Sequence, residues 1–293
     1  MRIGMGVGLS DSANKIGEGR AVPWADNVYA GSINDVGQGG SKWGAYFDGP
    51  PIADVIGTNP TKISIAYWIK RQSGVGFNYR HILGSSTDAT NTSKGFGIRL
   101  SSNPYQRLWV GDEENDFLTH PDYLQTNWQH FVYTWDGGTA KYYRNGSLFT
   151  DSETDWKATR GTQPSSIDTS GTQNFRIGIY GNANLPASDT NGAIADQAGF
   201  YRGHIDEVAI YTTVLSQSDV DYVYDGSTIP DLVADDAPTG LAGWWRFGDA
   251  DGDDATLDTG VLKDASGNGH DMNVVDGGDG FVDFQDSNVP LSS

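Results

Sequence analysis

Acidic side chains are the most numerous chemistry-bearing groups in this 293-residue chain, and their spacing sets what they can do. Asp112, Glu114 and Asp116 recur at i, i+2 and i+4, which on a strand would bring three carboxylates to one face for acid–base work. They lie in Gly111-Asp112-Glu113-Glu114-Asn115-Asp116, a nearly all-polar run that reads as a solvated loop. Asp206 and Glu207 are adjacent within an apolar phrase, so strand alternation predicts opposite sides of a sheet and no joint action on one bond. Calcium is the more plausible chemistry, because hard cations take six to eight oxygens from Asp, Asn and backbone carbonyls. Asp249, Asp251 and Asp253 have the spacing but lack the glutamate that closes an EF-hand loop; Asp264, Asn268 and Asp271 share the turn DASGNGHD. The same residues serve equally well as turn caps. There is no G-x-S-x-G, no H-E-x-x-H and no Cys, and His81, His120, His130, His204 and His270 are scattered, with His130 and His204 in strand-like runs. Trp24, Trp43, Trp109 and Trp156 sit in irregular settings and are candidates for stacking on sugar rings or anchoring a partner. Trp68, Trp128, Trp135, Trp244 and Trp245 fall in strand-like phrases and read as core.

These residues must be held by short strands. KISIAYWIK, from Lys62 to Lys70, is apolar on both faces and predicts a central, doubly covered strand. His81 to Gly84, Gly95 to Leu100, Arg107 to Val110, Trp128 to Trp135, Ala140 to Arg144, Asn174 to Tyr180 and His204 to Tyr211 continue the series. Gly, Asn and Asp turns such as DGGT and NGS separate them. The one helix expected is Ser216 to Tyr224, with Ser216 as N-cap and Asp219 in the first turn. The pattern predicts an all-β antiparallel sandwich. Residues 1–40 read as an extended Gly-rich arm and 41–293 as the sandwich: 41–225 the main body, 226–239 a connector, and 240–293 an acidic segment with strands at Leu241 to Phe247 and Gly280 to Phe284.

Composition narrows the function classes. With 39 Gly and 11 Pro the chain is rich in turns, and its 12% aromatic content sets it apart from a disordered chain. Nineteen basic against 38 acidic residues give a net charge of −19, which disfavours binding to a phosphate backbone. Thirty-three of the acids are Asp, a loop residue. No apolar run approaches the roughly 20 residues of a membrane helix. The opening MRIGMGVGLSDSANKIGEG lacks an apolar h-region, so Sec export is not expected. The absence of Cys fits a protein that folds in a reducing cytoplasm.

Four phrases in order carry a resemblance: Ala45-Tyr46-Phe47-Asp48-Gly49; Ile63-Ser64-Ile65-Ala66-Tyr67-Trp68-Ile69-Lys70; Trp128-Gln129-His130-Phe131-Val132 with Trp135-Asp136-Gly137 and Tyr142-Tyr143-Arg144-Asn145-Gly146; and Gly203 to Tyr211 followed by Val214-Leu215-Ser216. Together they resemble laminin-G-like jelly rolls of the concanavalin-A-like lectin and glucanase superfamily. Gly243 to Gly248 and Asp264 to Asp271 resemble the strand pair that normally opens such a domain, here following the closing helix. This order implies a circularly permuted sandwich, closed within its own chain or by exchange with a neighbour. The resemblance implies a structural calcium involving Asp206 and Asp48, so Asp48, Asp206, Asp264 and Asn268 form the candidate metal set. Laminarinase-like relatives use three carboxylates on alternate strand positions, a pattern this chain does not place on a strand, so no catalytic residue is expected.

The function expected from all of this is non-enzymatic. Phrases such as MRIGMGVGLS and WWRFGDADGD resemble those of tailed-phage structural proteins. The expectation is therefore a virion protein, as capsid decoration or as a tail or fibre component, at the virion surface after assembly in the host cytoplasm. Its arm would dock onto other virion proteins, with homo-oligomerisation by analogy and possible contact of the jelly roll with host surface glycans. The alternative is a secreted carbohydrate-binding lectin module.

Overall fold

The structure, a computed structural model, describes residues 30–35, 45–71, 81–85, 94–100, 106–111, 116–118, 126–149, 164–170, 174–179, 201, 203–275, 280–285 and 290. Two antiparallel sheets of eight strands each face one another, as the short-strand pattern predicts. The first contains β1 (Ala30–Asp35), β3 (Ile63–Arg71), β8 (Gln129–Trp135), β9 (Ala140–Arg144), β10 (Ser147–Leu148), β12 (Gly203–Tyr211), β13 (Leu241–Trp245) and β16 (Gly280–Gln285). Its order is β10-β9-β8-β3-β12-β1-β16, with β13 also on β12. The second contains β2 (Tyr46–Pro51), β4 (His81–Gly84), β5 (Phe96–Leu100), β6 (Gln106–Val110), β7 (Asp116–Leu118), β11 (Asn174–Ile177), β14 (Val261–Leu262) and β15 (Met272–Val275). Its order is β14-β15-β2-β11-β4-β5-β6-β7.

The central strand is β3, between β8 and β12. Ile63, Ile65, Tyr67 and Ile69 enter the core between the sheets, while Ala66 enters a second apolar cluster on the outer face. That second cluster is roofed by α2 (Gln217–Val223), whose Val220 and Val223 pack with Val132, Tyr143, Ala209, Tyr211, Leu215, Leu232 and Trp244. A seven-residue helix is too short to hold itself, and a reciprocal cap helps: Ser216 Oγ accepts from Asp219 N, and Asp219 Oδ2 accepts from Ser216 N at 2.8 Å. The hairpin β9–β10 turns at Asn145 and Gly146, both at positive φ (47° and 77°), as an Asn-Gly pair requires. The sheets are also tied through the core by Gln106 on β6, whose Oε1 accepts from the phenols of Tyr67 and Tyr133 on the opposite sheet.

Three features differ from the sequence expectation. Residues 30–35, inside the stretch read as an arm, form β1 between β12 and β16, with Ile33 fully buried. A short helix, α1 (Ile52–Ile56), follows β2 and sends Ile52, Val55 and Ile56 into the core. The C-terminal segment supplies four strands rather than two: β13 pairs with β12, β14 with β15, β15 with β2, and β16 with β1. It therefore contributes to both sheets.

Candidate functional site

The two outer faces differ in chemistry. The first sheet's outer face is sealed by α2 and the chain around it. On the second sheet's outer face a single cross-strand row runs Asn273–Asp48–Arg176–Gly84–Gly97–Trp109–Asp116, each residue opposite the next in register. One end of the row is polar and accessible. Asp48 Oδ1 accepts from Arg176 Nε at 2.7 Å and from Asn174 Nδ2 at 3.2 Å, and Asp48 Oδ2 accepts from the same Asn174 amide at 3.2 Å. The Arg176 guanidinium lies 5.5 Å from the centre of the Tyr46 ring. Burial raises the Tyr46 phenol above its ordinary pKa, and Arg176 opposes that rise. The middle of the row is a floor of two glycines. A Cβ on Gly97 would fall 2.2 Å from the Trp109 ring, so only glycine lets that indole lie across β5. Beside it Arg99 lies 5.5 Å over Trp109, and His81 meets the indole edge-on at 5.4 Å.

Trp109 was a candidate contact residue, but it is 1% exposed and packed on this floor, so it is not a platform open to a ligand. Trp24, Trp43 and Trp156 lie outside the described residues. Of the five tryptophans read as core, Trp68, Trp135, Trp244 and Trp245 are buried, whereas Trp128, just ahead of β8, is half-exposed.

The candidate metal residues are not brought together. Asp48 belongs to the outer face of the second sheet and Asp206 to that of the first, with the core between them, and packed sheets lie about 10 Å apart. Asp264 spends its carboxylate on backbone N–H groups: Oδ1 accepts from Trp244 and Ser266, and Oδ2 from His270. Asn268 donates its amide to the carbonyls of Leu241 and Ala242. Asp271 Oδ1 accepts from Asp264 N and its Oδ2 pairs with Lys263 at 2.7 Å. Asp253 accepts from the backbone N–H groups of Gly248, Ala250 and Lys263. These acids brace turns, and the proposed four-residue set does not fit a single ion. Among the described residues, no group of three or more His, Asp or Glu is placed to hold a metal.

The acids of β12 correct another expectation. Asp206 stands opposite Trp68 and Ala209 opposite Ala66, so Glu207 and Val208 together face the single Tyr67. This is a bulge, with Glu207 at φ 49°. The extra residue breaks the alternation, and Glu207 reaches the same side as Asp206, where its carboxylate accepts from Trp244 Nε1 at 2.6 Å and Arg246 Nε at 3.0 Å. Both acids are nonetheless closed to a substrate, at 0% and 5% exposure. Of the run Asp112, Glu114 and Asp116, the first two lie outside the described residues, and Asp116 opens β7 rather than lying in a loop. Burial pushes His130 down to about 3 and His204 to about 4, and it lowers His81 well below the usual histidine range.

The site residues missed from sequence were Tyr46, Asn174, Arg176 and Asn273. Each occupies an outward position of its strand, which alternation could have flagged. Their convergence depends on cross-strand register, which alternation does not encode.

Architecture and faces define a lectin-like two-sheet jelly roll. A family model described as the concanavalin A-like lectin/glucanases superfamily, laminin G type, matches residues 44–221, and the chain belongs to that family. No curated protein matches the sequence. Among solved structures, a proposed carbohydrate-binding protein from Bacteroides ovatus is 17% identical with a TM-score of 0.56, over 90% of this chain and 62% of that one. A heptameric SAP-like pentraxin from Limulus polyphemus is 14% identical, with a TM-score of 0.46 over 86% of this chain and 96% of its own. Mouse laminin α1 domains LG4-5 are 12% identical, with a TM-score of 0.39 over 66% of this chain and 43% of theirs. At 17% identity the likeness to the Bacteroides ovatus structure is one of fold. No helix among the described residues is long and apolar enough to cross a membrane.

Proposed function

We propose that this protein is a non-catalytic carbohydrate-binding module whose site is the accessible end of the cross-strand row on the second sheet. The observation that carries the reading is the cluster of Tyr46, Asp48, Asn174 and Arg176 on a face free of the helix that seals the other sheet. Planar carboxylate, carboxamide and guanidinium groups beside an aromatic ring are what a sugar's paired hydroxyls and apolar C–H face require. The Bacteroides ovatus protein, a proposed carbohydrate binder, shares the fold and supports the same class. Burial of Asp206 and Glu207, and the engagement of Glu207 by Arg246 and Trp244, favour binding over hydrolysis. Titration calorimetry against a polysaccharide panel tests this. Asn174→Ala should weaken binding by about fivefold or more, the loss of one or two hydrogen bonds, with the fold intact by circular dichroism. Wild-type affinity in the variant would refute the placement.

The setting we favour is display on a tailed-phage particle, with residues ahead of β1 docking to other virion proteins. What supports it is the strong acidity, the lack of Cys, and the locking of β1 between β12 and β16, which would fix any preceding segment to a rigid body. Mass spectrometry and immunogold labelling of purified particles test it, and exclusive recovery of the chain as free protein would overturn it.

A further inference from the structure

Resting on the glycan-binding reading, we infer that this site takes uncharged, hydroxyl-rich polysaccharides and turns acidic ones away, with Asp48 as the gate. Arg176 is the cation at the accessible end of the row among the described residues, and its Nε is already given to Asp48 at 2.7 Å. Of the pair, the carboxylate is the more accessible, with its side chain 24% exposed against 10% for Arg176. An arriving ligand therefore meets the anion before the cation. A further carboxylate flanks the row. Asp258 is exposed in the turn ahead of β14, held beside β15 by its N–H to Val274 O, and its charge acts on Tyr46. The other polar groups here, Asn174 and the exposed Asn273, are neutral carboxamides that donate and accept, as sugar hydroxyls do. A uronate or sulfate entering this space would face these carboxylates and a molecule of net charge −19, with the Arg176 guanidinium already engaged by Asp48.

The experiment is titration calorimetry of wild type and Asp48→Asn against two neutral polysaccharides (a soluble β-glucan and a galactomannan) and two acidic ones (polygalacturonate and a sulfated galactan), at low and high salt. Wild type should bind a neutral polymer with an affinity that changes less than about twofold with salt, because screening acts on charge pairs. Asp48→Asn keeps the side-chain size and an acceptor for Arg176 while uncovering its charge. It should gain affinity for an acidic polymer by about threefold or more, and the gain should vanish at high salt. Should that variant lose its fold by circular dichroism, the exposed Asp258→Asn serves instead, with a gain of about twofold. Salt-sensitive binding of acidic polymers by wild type would overturn the inference and leave the glycan-binding reading standing. Neutral binding with no acidic gain in either folded variant would overturn the gate. A folded wild type that binds none of the four would overturn the reading beneath it.

Discussion

Asp253 shows how one side chain can cost and contribute at once. Its carboxylate accepts three backbone N–H groups, from Gly248, Ala250 and Lys263, which fastens the loop after β13 to the start of the next strand pair. Burial outweighs those donors and pushes its pKa up to about 6 from 3.8. Because the folded state holds this proton more tightly than the unfolded chain, the associated stability is fully present below pH 3.8 and is lost as pH rises through about 6. Acidification from pH 7 to pH 5 should therefore stabilise wild type relative to Asp253→Asn by about 1 kcal/mol, within the 1.36 kcal/mol that each pKa unit can supply. Urea unfolding of both proteins at the two pH values measures the difference, and parallel pH profiles would remove Asp253 as the titrating group.

Strand β12 is the element on which the first sheet forks. On the side away from β3, residues 203–205 pair with β1 and residues 208–211 with β13, and the bulge lies between the two partners. The extra residue is Glu207, whose carboxylate ties Trp244 and Arg246 to the fork. Arg246 is 2% exposed, and although burial alone would lower its pKa, Glu207 and Asp249 keep it charged. Glu207→Ala would leave that guanidinium buried without its main partner, so a loss of about 3–5 kcal/mol is expected by chemical denaturation. Glu207→Gln retains an acceptor for Trp244 and should lose less. Equal losses in both variants would indicate that the bulge geometry, and not the charge pair, holds the fork.

Over the whole molecule, the family match at 44–221 stops short of β13 to β16, yet those strands enter both sheets. They bring Trp245, Phe247, Leu262, Met272, Val274 and Val282 into the main core and Trp244 into the second cluster. A chain ended after residue 239 would open both layers at once, and calorimetry should show a cooperative thermal transition for the full chain and none for the truncated one. A sharp transition in the truncated chain would show the C-terminal strands to be dispensable. The accessible half of the proposed glycan-binding row would suffer too, since Asn273 and the turn holding Asp258 come from that segment.

The sequence by itself determined the sandwich, the doubly buried central strand, the helix cap at Ser216 and the Asn-Gly hairpin, because each depends on local alternation, capping or turn chemistry written within about ten residues. It also marked Asp264 and Asp253 as turn acids as readily as metal ligands. Only the tertiary structure showed the turn-bracing role, by directing backbone N–H groups onto their oxygens. It likewise decided that Asp206 and Glu207 share a side, through one inserted residue, and that residues 30–35 form a strand in the sheet. The row from Asn273 to Asp116 draws its residues from seven strands, and its existence depends on register between segments more than 200 residues apart, which no local pattern records.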